Sequence, residues 1–320
     1  YQAAKVGVSI AKAEEQVARQ DISASVAMAY YSALRAQAQR TAAEANLTLA
    51  RDLEDLARRQ KDAGTGLALE VPRATLLRSQ AEHALLVREN EVRAANLQLQ
   101  RTIGLSMENP IRLSDPMPLP ETVPGVQGES MDSLVHRAEG ARADWQGQQA
   151  RLKNARLLSG AAAWERAPSI SAFGDYGASG SSPGNALPTR AVGVQVRIPL
   201  FDGGRRDARR AESSARLREE ELRARDLMRQ IELELRLAVD ALDSTREFVR
   251  VSGESLRQAE LELEQARRRY RAGVAGSLEV TRAQTGVEQA RSTSIDSLFR
   301  FNAARIEFAQ AMGDVATAIP

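Results

Sequence analysis

The chain contains no cysteine among its 320 residues, so disulfides and thiol chemistry are excluded. Aromatic residues make up only 4% of it, too few for a thick globular core of ordinary composition. No run of 18 apolar residues exists, which excludes a transmembrane helix but leaves open a crossing by β-strands. Charge of one sign is also missing. The formal net charge is +2, from 44 basic and 42 acidic residues interspersed along the chain, and no nucleic-acid partner is expected. Histidine is scarce, and His83 and His136 stand apart from any group of potential ligands, so no metal site and no cofactor are expected. Gly203-Gly204 precedes a helix but is not followed by the Lys-Ser/Thr of a phosphate loop. Nothing points to an enzyme.

What is present is a long repeat. Ala63-Gly64 with Leu69-Glu70-Val71 and Arg73-Ala74 recurs as Ala272-Gly273 with Leu278-Glu279-Val280 and Arg282-Ala283, 209 positions on. The same offset carries Gln80-Ala81 onto Gln289-Ala290 and Ile103-Gly104 onto Met312-Gly313 without a gap. A structural unit is used twice. The block 129–204 lies between the copies, and its own counterpart would fall before Tyr1. The sequence is therefore expected to lack an N-terminal part, and any targeting signal or lipid-acceptor cysteine with it.

Helix signals dominate. Residues 1–62 hold no proline and one glycine, enough for a rod of roughly 90 Å. A second helix is expected from Leu69 to Ile103, a third from Ser130 to Trp164, a fourth from Arg205 to Ala272, and a fifth from Gly276 to Met312. Five prolines, at 110, 116, 118, 120 and 124, mark 105–128 as an irregular connector. The fourth helix carries a heptad seam, Ile231, Leu235, Ala238, Leu242, Thr245, Val249, Ser252, Leu256, Ala259, Leu263, Ala266 and Tyr270. Val280, Ala283, Val287, Ala290, Ser294, Ser297, Phe301, Ala304 and Phe308 answer it on the fifth. Large and small residues alternating at a 3.5-residue period predict knobs-into-holes packing of antiparallel neighbours. Such thin seams call for further helices alongside, from this chain or from identical ones.

The texture changes at Pro168. Residues 169–178 and 190–198 read as strands around a Ser/Gly/Pro/Asn loop at 180–188. In the second, Val192, Val194, Val196 and Ile198 alternate with Gly193, Gln195 and Arg197. Each is about nine residues, the length a tilted strand needs to cross a bilayer. A hairpin packed on a soluble core would show the same alternation.

Taken together, the chain resembles the TolC family of outer-membrane efflux channels, the outer-membrane factors, over essentially all of its length. The resemblance rests on the repeat, on Pro168-Ser169-Ile170, and on Val192-Gly193-Val194 leading to Ile198-Pro199-Leu200-Phe201-Asp202-Gly203-Gly204. It rests also on Tyr270-Arg271-Ala272-Gly273 with Leu278-Glu279-Val280, and on Gly104 and Gly313. It implies a mainly α fold of long antiparallel coiled-coil helices forming an α-barrel, with a small hairpin contributing to a transmembrane β-barrel. Residues 1–104 and 205–313 would be the two sets of tunnel helices, 105–128 the connector, 129–167 an equatorial or tunnel helix, 168–204 the barrel strands and 314–320 a tail.

The resemblance further implies a homotrimeric, non-catalytic exit duct in the cell outer membrane that extends into the periplasm. Such a duct serves a tripartite efflux or type I secretion system, joined to a periplasmic adaptor (a membrane fusion protein) and an inner-membrane pump. Val192, Val194, Val196 and Ile198 would face outer-membrane lipid. Gly64, Thr65, Gly66, Gly273, Val274 and Gly276 would form the adaptor-contacting tips. Glu70, Tyr270, Glu279 and Arg282 would line a periplasmic constriction, with Arg282 paired to Glu279 in place of a second acidic ring. The rival reading is a soluble coiled-coil scaffold or a periplasmic adaptor.

Overall fold

The computed structural model describes residues 2–64, 66–114, 116–118, 129–165, 167–181, 183–185, 187–198 and 201–318. Its elements run α1 (Gln2–Asp62), α2 (Glu70–Ile103), α3 (Met131–Ala141), α4 (Ala143–Trp164), β1 (Ser169–Ser179), β2 (Leu187–Arg197), α5 (Arg205–Arg271) and α6 (Ser277–Met312). The chain divides into two compact units, Tyr1–Glu15 with Ala143–Arg229, and Gln16–Arg142 with Gln230–Pro320.

In the first unit, α4 packs beside the start of α1, where Gly147 leaves room for the Ala13 methyl and Arg151 pairs with Glu14 at 2.5 Å. It runs antiparallel to the start of α5, with Gln148 donating to Glu220 Oε2 at 2.8 Å and Arg209 pairing with Glu165. Between these helices lies the antiparallel hairpin. Its pairing of Ile170 with Val196, Ala172 with Val194, Gly174 with Val192 and Tyr176 with Arg190 puts those residues on one face. Ser169, Ser171, Phe173 and Asp175 share the other with Ala191, Gly193, Gln195 and Arg197. Phe173 lies over Gly193 so closely that a β-carbon there would come within 2.7 Å of its ring. The aromatic ring covers backbone that glycine leaves bare. β2 begins at Leu187, three residues earlier than the alternation predicts, with Pro188 opposite Ala178 in the ladder.

The turn from β2 into α5 explains the Phe-Asp-Gly-Gly sequence. Gly203 and Gly204 have φ of 67° and 81°, a left-handed pair that side chains resist. Asp202 then accepts from the Arg206 N–H at 3.1 Å and fixes the helix start. Pro199 and Leu200 of that motif lie outside the described residues.

In the second unit, the seams pack as the alternation predicts. Ile231, Leu235, Leu242 and Val280 are fully buried, and the intervening seam positions are buried or half-buried. α5 and α6 run antiparallel, linked by the Ser252–Ser297 hydroxyl pair at 2.6 Å and by Glu260–Arg291 at 2.8 Å. α1 lies antiparallel to α2, through Arg78–Glu54 at 2.7 Å, and antiparallel to α6, through Arg35–Asp296 at 2.7 Å. Of the connector, Leu113 and Met117 pack against Tyr31, Leu34 and Ile306, and the buried Asn302 amide holds the Pro118 carbonyl at 3.1 Å. Residues 119–128, including Pro120 and Pro124, lie outside the described residues. Val315, at the head of the tail, is buried in the same cluster.

One expectation fails. The helix predicted across 130–164 is interrupted at Arg142, which is extended (φ −72°, ψ 119°). The Arg142 guanidinium donates to Glu234 Oε2 at 2.6 Å and to the Ala311 carbonyl at 3.2 Å. Gly313, left-handed at φ 77°, packs directly on the Arg142 backbone, where a β-carbon would come within 2.9 Å of Arg142 N and Cα. The break lets the end of α6 approach, and nothing in residues 139–145 announces it.

Candidate functional site: the paired helical tips

The α1–α2 and α5–α6 turns are the two copies of the repeated Ala-Gly. Gly64 (φ 68°) and Gly273 (φ 72°) occupy the same left-handed position after a helix end. Gly64 N–H bonds the Lys61 carbonyl, and Gly273 N–H bonds that of Tyr270, each at 3.0 Å. Val274 N–H returns to the Arg269 carbonyl, and Gly66 N–H returns to that of Gln60, the repeat counterpart of Arg269. Gly66 is required there because a β-carbon would come within 2.9 Å of Gln60 Cβ. Gly276 precedes α6, whose first turn carries Glu279, an acidic charge suited to a helix N-terminus. Thr65 lies outside the described residues.

The two tips lie together. Tyr270 packs with Val280 and Ala283 and with Leu53 of α1, and it is 5% exposed. Burial pushes its phenol above the usual value, and the charge of Glu70, from the other hairpin, pushes it further. Glu70 is itself largely enclosed. Its Oε1 lies 3.4 Å from Arg73, while Oε2 is buried with no hydrogen-bond partner. Three of the four expected constriction residues, Glu70, Tyr270 and Glu279, thus belong to this tip region.

Arg282 behaves otherwise than expected. Glu279 pairs with Arg269 across the hairpin at 3.0 Å, and Arg282 is exposed outside that pair. The repeat supplies the reason. Position 60, the counterpart of Arg269, is Gln, and in the first copy Glu70 pairs with Arg73 of its own helix. In the second copy the cross-hairpin cation wins.

A second difference escaped the sequence. Glu54, buried on α1, accepts from Thr75 at 2.8 Å and Arg58 at 2.6 Å and pairs with Arg78 at 2.7 Å. Hydrogen bonds from Arg58 and Thr75 hold its carboxyl below the usual carboxylate range against the opposing effect of burial. Its repeat counterparts are Leu263, Gln284 and Val287, so one tip hairpin is clamped by charge and the other by apolar packing. Superposing the two copies would have revealed the substitution; the heptad seam alone does not.

Long antiparallel helices in two related pairs, joined to a hairpin with one apolar exposed face, define a protomer of the outer-membrane channel class. Residues 134–314 match the family model for "Outer membrane efflux protein", more than half of the chain, and the chain belongs to that family. Its place is therefore the outer membrane, with helices extending into the periplasm, and the scaffold reading is set aside.

The fold is shared with solved structures. The outer membrane protein VceC of Vibrio cholerae is 24% identical with a TM-score of 0.81, over 98% of this chain and 74% of that one. A membrane protein of Pseudomonas aeruginosa is 21% identical (TM-score 0.84, 97% and 72%). The open MtrE outer membrane channel of Neisseria gonorrhoeae is 18% identical (TM-score 0.83, 98% and 70%). No curated protein sequence matches the chain.

Proposed function

We propose that the chain works as a homotrimeric exit duct of a tripartite efflux or type I secretion system, docking by its two tips onto a periplasmic adaptor coupled to an inner-membrane pump. The observation that carries this reading is the apolar crown at the tips. Leu67, Leu69, Val274 and Leu278 are all more than half exposed. Four large apolar side chains gathered at two adjoining helix turns fit a surface that a partner covers. Gly64, Gly66, Gly273 and Gly276 shape that surface, and Thr65 stands between the first two in sequence. Behind it, Glu70 and Glu279 would bring six carboxylates around a trimer axis. Tyr270 closes the seam, and Arg282 supplies an exposed cation beside it.

The hairpin's lipid face is Val192, Val194, Val196 and Ile198. All are between half and nine-tenths exposed in the protomer, and no apolar neighbour covers them among the described residues.

In a host lacking its own outer-membrane duct, Leu67→Ser with Val274→Ser in the full-length protein should abolish export-dependent resistance while the trimer still reaches the outer membrane. Resistance unchanged by the double substitution would remove the docking assignment. Glu70→Gln with Glu279→Gln should alter single-channel conductance or its block by divalent cations in planar bilayers. Unchanged values would remove the constriction.

A further inference from the structure

The hairpin's apolar face does not stay apolar to its end. Past Val196/Ile170, Val194/Ala172 and Val192/Gly174, the next directly opposed pair on that face is Arg190 and Tyr176. The Arg190 guanidinium lies over the Tyr176 ring, 5.3 Å from its centroid. Both side chains are exposed, Tyr176 by 73%. Arg190 is the single charged residue between Tyr176 and Val196, and among the described residues no carboxylate pairs with it.

Height fixes where this pair sits. α4 leads into β1 and β2 leads into α5, so the 180–186 turn is the end of the hairpin remote from the helices. From Ile198 to Arg190 is eight residues, about 27 Å along a strand and about 20 Å of height at the tilt of a barrel strand. An outward apolar band is about 25 Å tall, so the Arg190 backbone lies about 5 Å inside its outer rim, a distance that a long arginine side chain spans to the headgroups. An exposed cation on the lipid side at that level, with an aromatic ring 5.3 Å away, presents N–H donors to its surroundings. Those donors match the oxygens of a phosphate.

We infer that Arg190 and Tyr176 form a headgroup site that takes a lipid phosphate of the outer leaflet, one site per protomer, and anchors the hairpin at a set depth. This rests on the reading of Val192, Val194 and Val196 as lipid-facing, and the test separates the two. These 320 residues contain no cysteine, so an introduced one is the single labelling site among them. In the full-length trimer, a nitroxide at Val194→Cys should be accessible to oxygen and protected from a water-soluble nickel chelate, with the opposite behaviour at Gln195→Cys. Water-like accessibility at position 194 would overturn the lipid-facing reading itself.

With that in hand, spin-labelled phosphatidic acid and phosphatidylcholine are compared for association with the reconstituted trimer. The preference for phosphatidic acid should fall about fivefold in Arg190→Gln, the effect of one basic side chain near a membrane surface. It should persist in Arg190→Lys and weaken in Tyr176→Ala. An Arg190→Gln trimer that keeps the full preference, with position 194 in lipid, would overturn the headgroup site. So would displacement of the lipid by millimolar inorganic phosphate, which would mark a site for the free ion.

Discussion

Gly104 and Gly313 are repeat counterparts that end α2 and α6 in the same way, and they form a controlled pair for substitution. Their φ angles are 74° and 77°, and the residue after each returns its N–H to the fifth carbonyl back at 2.9 Å. They differ in what lies beside them. A β-carbon on Gly104 would meet nothing within 4 Å, whereas one on Gly313 would meet Arg142 N, Cα and Cγ, all at 2.9 Å. Alanine in the left-handed region costs about 1–2 kcal/mol at either site. Only Gly313→Ala adds overpacking, about 1–3 kcal/mol, and the backbone atoms it meets cannot swing aside as a side-chain tip could. Gly104→Ala should therefore cost about 1–2 kcal/mol and Gly313→Ala about 2–5 kcal/mol.

The assay is thermal unfolding of the purified trimer followed by helical circular dichroism, with tryptophan emission as a local probe, since Trp145 lies three residues from Arg142. The Gly313→Ala midpoint should fall further than the Gly104→Ala midpoint, and the emission of Trp145 should shift in Gly313→Ala alone. Equal midpoints would refute the reasoning, because they would mean that the Arg142 break does not depend on the approach of Gly313.

Three further outcomes follow from the same structure. Because Glu54 is held below the ordinary carboxylate range in the folded chain, its contribution is present above about pH 4.5 and is lost as pH falls through its depressed value; amide protection factors at the start of α2, which correct for the intrinsic pH dependence of exchange, should fall in acid, and Glu54→Gln should remove that fall. Tyr270 titrates above its ordinary value, so its contribution is intact below about pH 10 and is lost as pH rises through the raised one; Tyr270→Phe should flatten the alkaline limb of an unfolding profile while keeping the packing. In the hairpin, Gly193→Ala should lower the yield of assembled trimer on denaturing gels by displacing Phe173, and a second change, Phe173→Ala, should recover part of it; no recovery would mean that the ring is not the obstacle.

Much of the fold was legible because periodicity reports burial. The seam of α5, the hairpin alternation and the matched glycines all appear as spacing, and spacing is a local property of the chain. The site was legible only in part. Glu70, Glu279 and the tip glycines could be found as repeat anchors, but the partner of Glu279 could not. Arg282 is three residues away in sequence, whereas Arg269 comes within 3.0 Å only when the hairpin closes. The Glu54 cluster was missed for a related reason. A charged residue on a helix face reads as solvated until Thr75 and Arg78 of the neighbouring helix are seen to enclose it.

By itself, then, the sequence determined the element types, the duplication, the apolar strand face and the left-handed positions at the turns, all of which depend on residues within a few turns of one another. Only the tertiary structure decided the break at Arg142, the partner of Glu279, the charge clamp on one tip hairpin and the pairing of Tyr176 with Arg190. Each of these depends on which helix or strand arrives alongside, and that is set by the closing of long loops between distant segments. No local pattern encodes it.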